Sequence, residues 1–534
     1  MMKKPLPVYP IFFAVYPILA YFVHNLDELK AKVIFWPLLI SLGASLLVWL
    51  AVNFVSKNFK RSAVLVFLGL SFFFSYGHLI NALGKLIDLK LIVKLEVFFL
   101  IVWTIIFLLL SRLVFRLVTV ARKLDQLTRF LNIVALVLGL IFLVQIAYHE
   151  LEFRLVMAKL APERRQEIKQ AQPEKGTRPP DIYYLIFDRY ASADSLKKYY
   201  FYDNSDFLDF LTQKGFYVVP RALANYPITD LSLASSLNME YLDSLSLSVG
   251  SESTDFRPIY AKFNHHLVGD FLKKRGYLLV NVPSTWWLTR QNKQADINYL
   301  YTRPRSLSIF LLKFLETTAL HPFFSGSLTV SEKNIMEPLT FEALSREIIL
   351  NQFKILSKTP NLPGPKFVFA HVLLPHEPYV FDRDGRFISK REALAGERRK
   401  LYLNQLVYAN KLIKSLVEEL MAKTKGQAII ILQGDEGPFP PRYKKYEYSF
   451  EWQKATPDEI KEKFGILNAY FLPGVSREAL HFPITPVNSF RLIFNLYFKT
   501  NLAFLPDRIY GIKDRRHPYQ YYDLTGKINS FLSY

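Results

Sequence analysis

Cysteine is absent from all 534 residues. Its absence excludes thiol catalysis, cysteine-ligated metal and disulfide bridges. It is compatible with an outer compartment, because a domain of several hundred residues buries enough apolar surface to fold without cross-links. Acidic side chains are scarce as well: 46 Asp and Glu stand against 67 Lys and Arg, a formal net charge of +21. No nucleic-acid-binding motif gathers those basic residues, so nucleic acid is not expected as a partner. Attraction to anionic lipid head groups accounts for the excess more simply. There is no internal repeat of useful length, and no small-residue cleavage site follows the first apolar run.

Apolar residues are plentiful and unevenly placed. They make up 51% of the chain. Five runs with little or no charge stand near its start: Val8 to Val23, Val33 to Val55, Ala63 to Leu83, Leu95 to Ser111 and Phe130 to Tyr148. Each is close to the roughly 20 residues a helix needs to cross a bilayer's hydrocarbon core. Five membrane spans are therefore expected within residues 1–148. Lys57, Lys60 and Arg61 separate the second run from the third, and Arg112, Arg116, Arg122, Lys123 and Arg129 separate the fourth from the fifth. Such loops stay in the cytoplasm, so everything after the fifth run is expected on the extracytoplasmic side of the cell membrane. Residues 149–180 read as a juxtamembrane connector. A charged amphipathic helix, HELEFRLVMAKLAPERRQEIKQ, is followed by the breaker-rich linker AQPEKGTRPP.

Over residues 181–534, strand-like runs alternate with helical ones, the pattern of an α/β domain with a central sheet. Strands are expected at 181–187, 215–219, 277–282, 366–373, 427–433 and 466–472, and helices at 205–214, 230–242, 266–274, 341–357 and 397–423. Two long aromatic or basic segments, 283–335 and 436–465, fit neither pattern and are expected to cover the sheet edge or a site.

Ligands of open α/β sheets gather at the carboxyl ends of strands. Asp188 ends the first strand, His371 and His376 lie at and after the fourth, and Asp435 and Glu436 follow the fifth after a glycine. These positions are far apart in sequence but would meet at one edge, and acids converging with histidines there suggest a metal site. Thr229 opens an apolar helix after Tyr226 and Pro227. It serves as a helix cap, as a hydroxyl activated by helix-end amides and a divalent ion, or as both together. His265 and His266 have no motif around them and read as structural.

Four ordered blocks carry a family resemblance: DIYYLIFDRYASAD, then NYPITDLSLASSLNMEYL, then FAHVLLPHEPYVFDRDG, then QGDEGP with LNAYFLPG and ITPVNSFRLIFN. They resemble the sulfatase-like branch of the alkaline phosphatase superfamily. Five spans before an outer catalytic domain are similar to the layout of lipoteichoic acid synthases and phosphoethanolamine transferases. The resemblance covers nearly all of residues 181–505 and implies a three-layer α/β/α sandwich. It implies Asp188, Thr229 and Asp435 as metal ligands and Thr229 as the nucleophile. His376 would contact the transferred phosphoryl group or its leaving oxygen, and His371 would be a core histidine or support the ligands or substrate. Where the family usually has Asp-His-Gly, this chain reads Asp435, Glu436 and Gly437, so Glu436 stands in the place of an imidazole ligand. An all-oxygen set suits one divalent ion of manganese, magnesium or calcium better than zinc.

The superfamily's sulfatases resemble one another in a Cys or Ser, within C/S-x-P-x-R, that is converted to formylglycine; this chain reads Thr-Asp-Leu-Ser-Leu there. Sulfate ester hydrolysis by that route is not expected. The threonine instead implies a phosphothreonine intermediate resolved by an acceptor hydroxyl or by water. The leading expectation is a membrane-anchored phosphotransferase that moves a phospholipid head group to an envelope lipid or glycan. The alternatives are a phosphodiester hydrolase on the same scaffold, or a non-catalytic descendant that binds lipid or glycan, in which Glu436 marks a site that has lost its metal.

Overall fold

The protein is described from a computed structural model over residues 4–26, 31–84, 86, 89–117, 121–160, 179–300, 309–325, 340–476, 480 and 484–528. Its chain divides into two units, one of residues 1–154, 303–344 and 389–395, the other of 155–302, 345–388 and 396–534.

The first unit is helical: α1 (Tyr9–His24), α2 (Phe35–Ser56), α3 (Phe59–Leu83), α4 (Leu89–Leu117) and α5 (Ala121–Leu160). Four of these, α2 to α5, are long and apolar enough to cross a membrane, one fewer than the five spans expected. The exception is α1: its 16 residues reach about 24 Å at 1.5 Å per residue, short of a core of roughly 30 Å. Leu47, Phe54, Leu109 and Val144 stay exposed on the helix exteriors. Tyr9, Trp49, Ala63, Val64 and Leu131 form the interior. Between α2 and α3, Lys57 adopts a left-handed conformation and the Asn58 side chain accepts from the Arg61 N–H at 3.1 Å, which caps the new helix. The expected juxtamembrane helix is not a separate element, because α5 runs unbroken from the fifth apolar run to Leu160. The rest of that connector, 161–178, lies outside the described residues. A segment from later in the chain completes the unit: Phe310 and Phe314, on the helix Ile309–Leu315, pack against Ile18 and Phe22 of α1.

The second unit is built on a seven-stranded sheet: β1 (Ile182–Phe187), β2 (Tyr217–Val218), β3 (Leu278–Val282), β4 (Ile297–Asn298), β5 (Lys366–Val372), β6 (Ile429–Gln433) and β7 (Asn468–Phe471). Their order is β2-β7-β6-β1-β5-β3-β4, parallel from β6 to β4, with β7 antiparallel to β6 and β2 antiparallel to β7. A parallel strand covered on both faces needs an apolar side chain at every position, and IYYLIF supplies it: all six residues of β1 are fully buried. On one face Tyr184, Phe369 and Ile431 meet Leu233, Phe271, Phe490 and Phe494 from three helices. On the other, Phe187 stacks on Phe353 of the helix Phe341–Leu356. Helices on both faces of a mixed sheet make the expected α/β layering, and β1, at the centre, sets its residues' carboxyl ends between those of β5 and β6.

Candidate active site

Three strand ends carry the site. The pairing Phe187↔Val372 and Ile186↔Gln433 sets the ends of β1, β5 and β6 level. Asp188, just past β1, is pinned by its N–H to Val372 O at 2.9 Å. His371 lies within β5, and Asp435 follows β6 after Gly434, whose N–H donates to Leu467 O at 2.8 Å. One ligand atom from each of Asp188, His371 and Asp435 falls within 4.8 Å of the others, and all three residues are buried. His371 Nε2 lies 3.3 Å from Asp188 Oδ2 and 3.8 Å from Asp435 Oδ2. Its other nitrogen, Nδ1, is tied to Thr289 Oγ1 at 3.0 Å, which fixes the ring.

Polar atoms this deep are almost always hydrogen-bonded. Asp188 Oδ1, His371 Nε2 and Asp435 Oδ2 are not. One ligand atom from each of Asp188, His371 and Asp435, with His371 Nε2 and Asp435 Oδ2 unpartnered and 3.8 Å apart, fits a divalent cation, which offsets their desolvation. The donor set differs from the expected one. An imidazole enters it and Glu436 does not, so the argument for a hard ion from an all-oxygen set falls: mixed imidazole and carboxylate ligation suits zinc as well.

Glu436 turns to another task. Its Oε1 receives Arg189 Nε at 3.0 Å and Lys463 Nζ at 2.9 Å, all three residues being buried, while its Oε2 has no hydrogen-bond partner. The Arg189 guanidinium lies 3.3 Å from the Phe439 ring centroid. Arg189 sits at φ 60, a conformation costly for a residue with a Cβ. It is held there by its N–H to Asp435 Oδ1 at 3.2 Å and by the Tyr402 hydroxyl on its carbonyl at 2.8 Å. Gly437 allows the close approach of the next turn: a Cβ there would stand 2.3 Å from Glu462 O and 2.8 Å from Lys463 O. Arg189 and Lys463 were missed in the sequence reading. The signal for Arg189 was its place directly after the strand-end acid; Lys463, from the helix Pro457–Phe464, offered none.

Thr229 is the first residue of the helix Thr229–Asn238, with Ile228 as its cap, so the expected capping role does not apply. Its hydroxyl instead neighbours the Asp435 carboxyl, and Ser232 of the same helix donates to Asp435 O at 2.6 Å. His376 follows β5 with its Nε2 4.0 Å from Asp188 Oδ2. Its Nδ1 contacts Glu377 O. With the proton on Nδ1, the neutral ring would leave Nε2 as a lone pair. His265 and His266 lie apart from this group, and His266 caps the helix Leu267–Lys273 through Nδ1, which accepts from Gly269 N–H at 2.9 Å.

The electrostatics follow from burial and these neighbours. Desolvation works to raise the Asp188 pKa, but the imidazoles of His376 and His371 and the Arg189 guanidinium outweigh it and hold it well below the carboxylate range. Desolvation and Arg189 push His376 down to about 4, so it is neutral at pH 7. His371 is raised: burial opposes its charge, and Asp188 and Asp435 overcome the opposition. Desolvation and the Asp188 charge raise Asp435. Desolvation likewise raises Asp230, beside Thr229, to about 6.

The family model for sulfatases matches residues 190–460, just over half of the sequence, beginning two residues past Asp188. The chain belongs to the sulfatase family. Three solved structures are similar. A zinc complex of the C-terminal periplasmic domain of EptC from Escherichia coli has 15% identity and a TM-score of 0.42, over 66% of this chain and 94% of that one. The lipooligosaccharide phosphoethanolamine transferase EptA from Neisseria meningitidis has 13% identity and a TM-score of 0.38, over 92% and 95%. The lipoteichoic acid synthase LtaP from Listeria monocytogenes has 13% identity and a TM-score of 0.39, over 65% and 82%. No curated protein matches the chain. The C/S-x-P-x-R motif occurs nowhere in this sulfatase-family chain.

Proposed function

We propose that the protein is a membrane-anchored phosphotransferase that moves a phospholipid head group to a lipid or glycan of the envelope through a phosphothreonine at Thr229. The observation that carries this reading is the buried group Asp188, His371 and Asp435, one ligand atom of each within 4.8 Å of the others, beside a threonine hydroxyl at a helix start. In the same reading α1 to α5 all span the membrane, α1 by a short path. The C-terminal ends of α1 and α3 then lie toward the extracytoplasmic side, away from Lys57, Lys60 and Arg61.

Asp188, His371 and Asp435 would hold one divalent ion, with Thr229 completing the set. Bound there, the ion supplies charge that favours the anionic ester and lowers the hydroxyl's pKa. Thr229 Oγ forms a bond to the phosphodiester phosphorus as the bond to the diacylglycerol oxygen breaks; the Thr229 proton passes to water, and the leaving oxygen, on the opposite side of phosphorus, takes a proton from water. The helix-end amides after Thr229 face the developing negative charge. His376 acts in the second half: its Nε2 lone pair takes the proton of the acceptor hydroxyl as that oxygen attacks the phosphothreonine, and returns it to Thr229 Oγ. A base kept neutral by burial suits this task better than protonation of a leaving group.

The test is head-group transfer from a labelled phospholipid by the full chain in vesicles, with lipid and glycan analysis of cells carrying Thr229→Ala. Label on a lipid or sugar acceptor, lost in Thr229→Ala, is the expected result. Label released only into water identifies a hydrolase. If envelope composition is unchanged and the purified protein retains no divalent ion, the non-catalytic reading replaces both.

A further inference from the structure

We propose that the helical unit contains a phospholipid-binding site, in which one acyl chain fills a pocket between α1 and α3 and the phosphate lies at the imidazoles of His24 and His78. The pocket has a volume of about 430 Å³, the size of a small-ligand site. Two facing helix stripes line it, Phe13, Pro17 and Ala20 on α1 and Leu70 and Phe74 on α3, with Thr317 as a further wall. No Asp, Glu, Lys or Arg lines it. The wall's serine and threonine hydroxyls are committed to backbone, leaving those of Tyr16 and Tyr21 as the other hydroxyls of the lining: Ser71 Oγ donates to Phe67 O at 2.9 Å, Ser75 Oγ to Ser71 O at 2.5 Å and Thr317 Oγ1 to Phe314 O at 2.7 Å. Such an interior suits hydrocarbon.

The third wall is fixed in place. Gly77 N–H donates to Thr317 O at 3.1 Å and Ala319 N–H to Phe73 O at 2.7 Å, so the segment is hydrogen-bonded to the α3 backbone at two points. Glycine permits this contact, since a Cβ on Gly77 would stand 2.4 Å from the Thr317 carbonyl carbon. Pro17, inside α1, lacks the N–H for one helical hydrogen bond and lines the pocket.

His24, the last residue of α1, and His78, near the end of α3, are exposed lining residues. Either protonation state of an imidazole can donate to a phosphate oxygen. An apolar interior with hydrogen-bond donors at one end matches a lipid that carries a phosphate, and a neutral diacylglycerol would leave the imidazoles unused. The inference rests on reading α1 to α3 as membrane helices and is independent of Thr229 as nucleophile.

The experiment uses the full chain carrying Thr229→Ala, in nanodiscs containing phosphatidylglycerol with a photoactivatable acyl chain, and maps the cross-linked peptides. Labelling of residues 13–24 and 70–78, saturable by unlabelled phosphatidylglycerol, is expected. Ser71→Trp, and separately Ala20→Trp, should lower it by about tenfold or more. His24→Ala with His78→Ala should lower phospholipid labelling and leave labelling by an equivalent diacylglycerol probe unchanged. Unsaturable labelling spread over the exposed faces of α2 to α5, labelling indifferent to both tryptophan variants, or diacylglycerol labelling equal to that of the phospholipid would each overturn the proposal. If the pocket fails this test while envelope composition depends on Thr229, the site inference alone falls; the reverse result removes the transferase reading and leaves the site.

Discussion

Replacing Glu436 with Gln separates two roles that its position allows. The carboxylate lies 3.0 Å from Arg189 Nε and 2.9 Å from Lys463 Nζ, and Lys463 is fully buried. Glutamine keeps the shape and removes the charge, leaving two cations without their counter-ion. Removing one partner of a buried ion pair costs about 3–5 kcal/mol. The lower part of that range applies, because Arg189 keeps the Phe439 ring and the Asp188 carboxylate at 4.0 Å, and Lys463 keeps Gly437 O at 3.2 Å. With an unfolding entropy of roughly 2.1 cal/mol/K per residue, a unit of this size should lose about 4–6 °C in thermal midpoint. Fluorescence of Trp452, packed among Phe450, Tyr443 and Phe464, reports unfolding of the same unit. Metal content of the same preparations should be unchanged, since Asp188, His371 and Asp435 are untouched. An unchanged midpoint with lost metal would refute this reasoning and make Glu436 a ligand. Glu436→His, which by sequence pattern restores the usual imidazole and should shift preference toward zinc, is expected instead to destabilise as much as Gln, because it sets a ring between two cations.

His266 gives a second, pH-dependent expectation. Desolvation lowers its folded-state pKa to about 3, so the unfolded chain takes up a proton below about 6.5 while the folded chain does not. Stability should therefore fall as pH drops from 6.5 toward 3, by about 1.4 kcal/mol per unit from this group. His266→Asn keeps a capping side chain and should flatten that slope in denaturant titrations; an unaltered slope assigns it to other groups. Gly437→Ala should cost about 3 kcal/mol or more, through backbone overlap and loss of the 2.6 Å bond from its N–H to Lys463 O. A parent-like thermal midpoint for that variant would show that the turn relaxes freely.

Much of the second unit was legible because its strands carry their own signal. DIYYLIF and QAIIILQ are unbroken apolar runs of strand length, as only a buried parallel strand requires, and β1 and β6 lie within them. Their ends place Asp188 and Asp435 without reference to any other part of the chain. In contrast, β4 is two residues, Ile297 and Asn298, defined only by pairing with β3, and no local pattern announces it. The role of Glu436 was illegible for the same reason. Position and chemical type made it a ligand; the residues that claim it come from the strand-end turn at 189 and a helix ending at 464, and an ion pair over such a separation leaves no trace in spacing.

That ion-pair group also bears on the reading in which Glu436 marks a decayed metal site. A carboxylate left behind by drift needs only to reach water, or to give way to a neutral residue. Here it is buried with an arginine and a lysine, and burying three charges is a poor route to stability, since well-packed apolar residues of similar volume do as well or better. The group has a consequence at the neighbouring residue, however. Arg189 donates its own N–H to Asp435 Oδ1 while its guanidinium engages Glu436 and faces Asp188 at 4.0 Å. Glu436 thus holds a cation against the carboxylates of Asp188 and Asp435, and the second cation, Lys463, offsets the added negative charge. Glu436 then reads as a residue that helps hold Asp188 and Asp435, through Arg189 and with Lys463 as its second counter-ion.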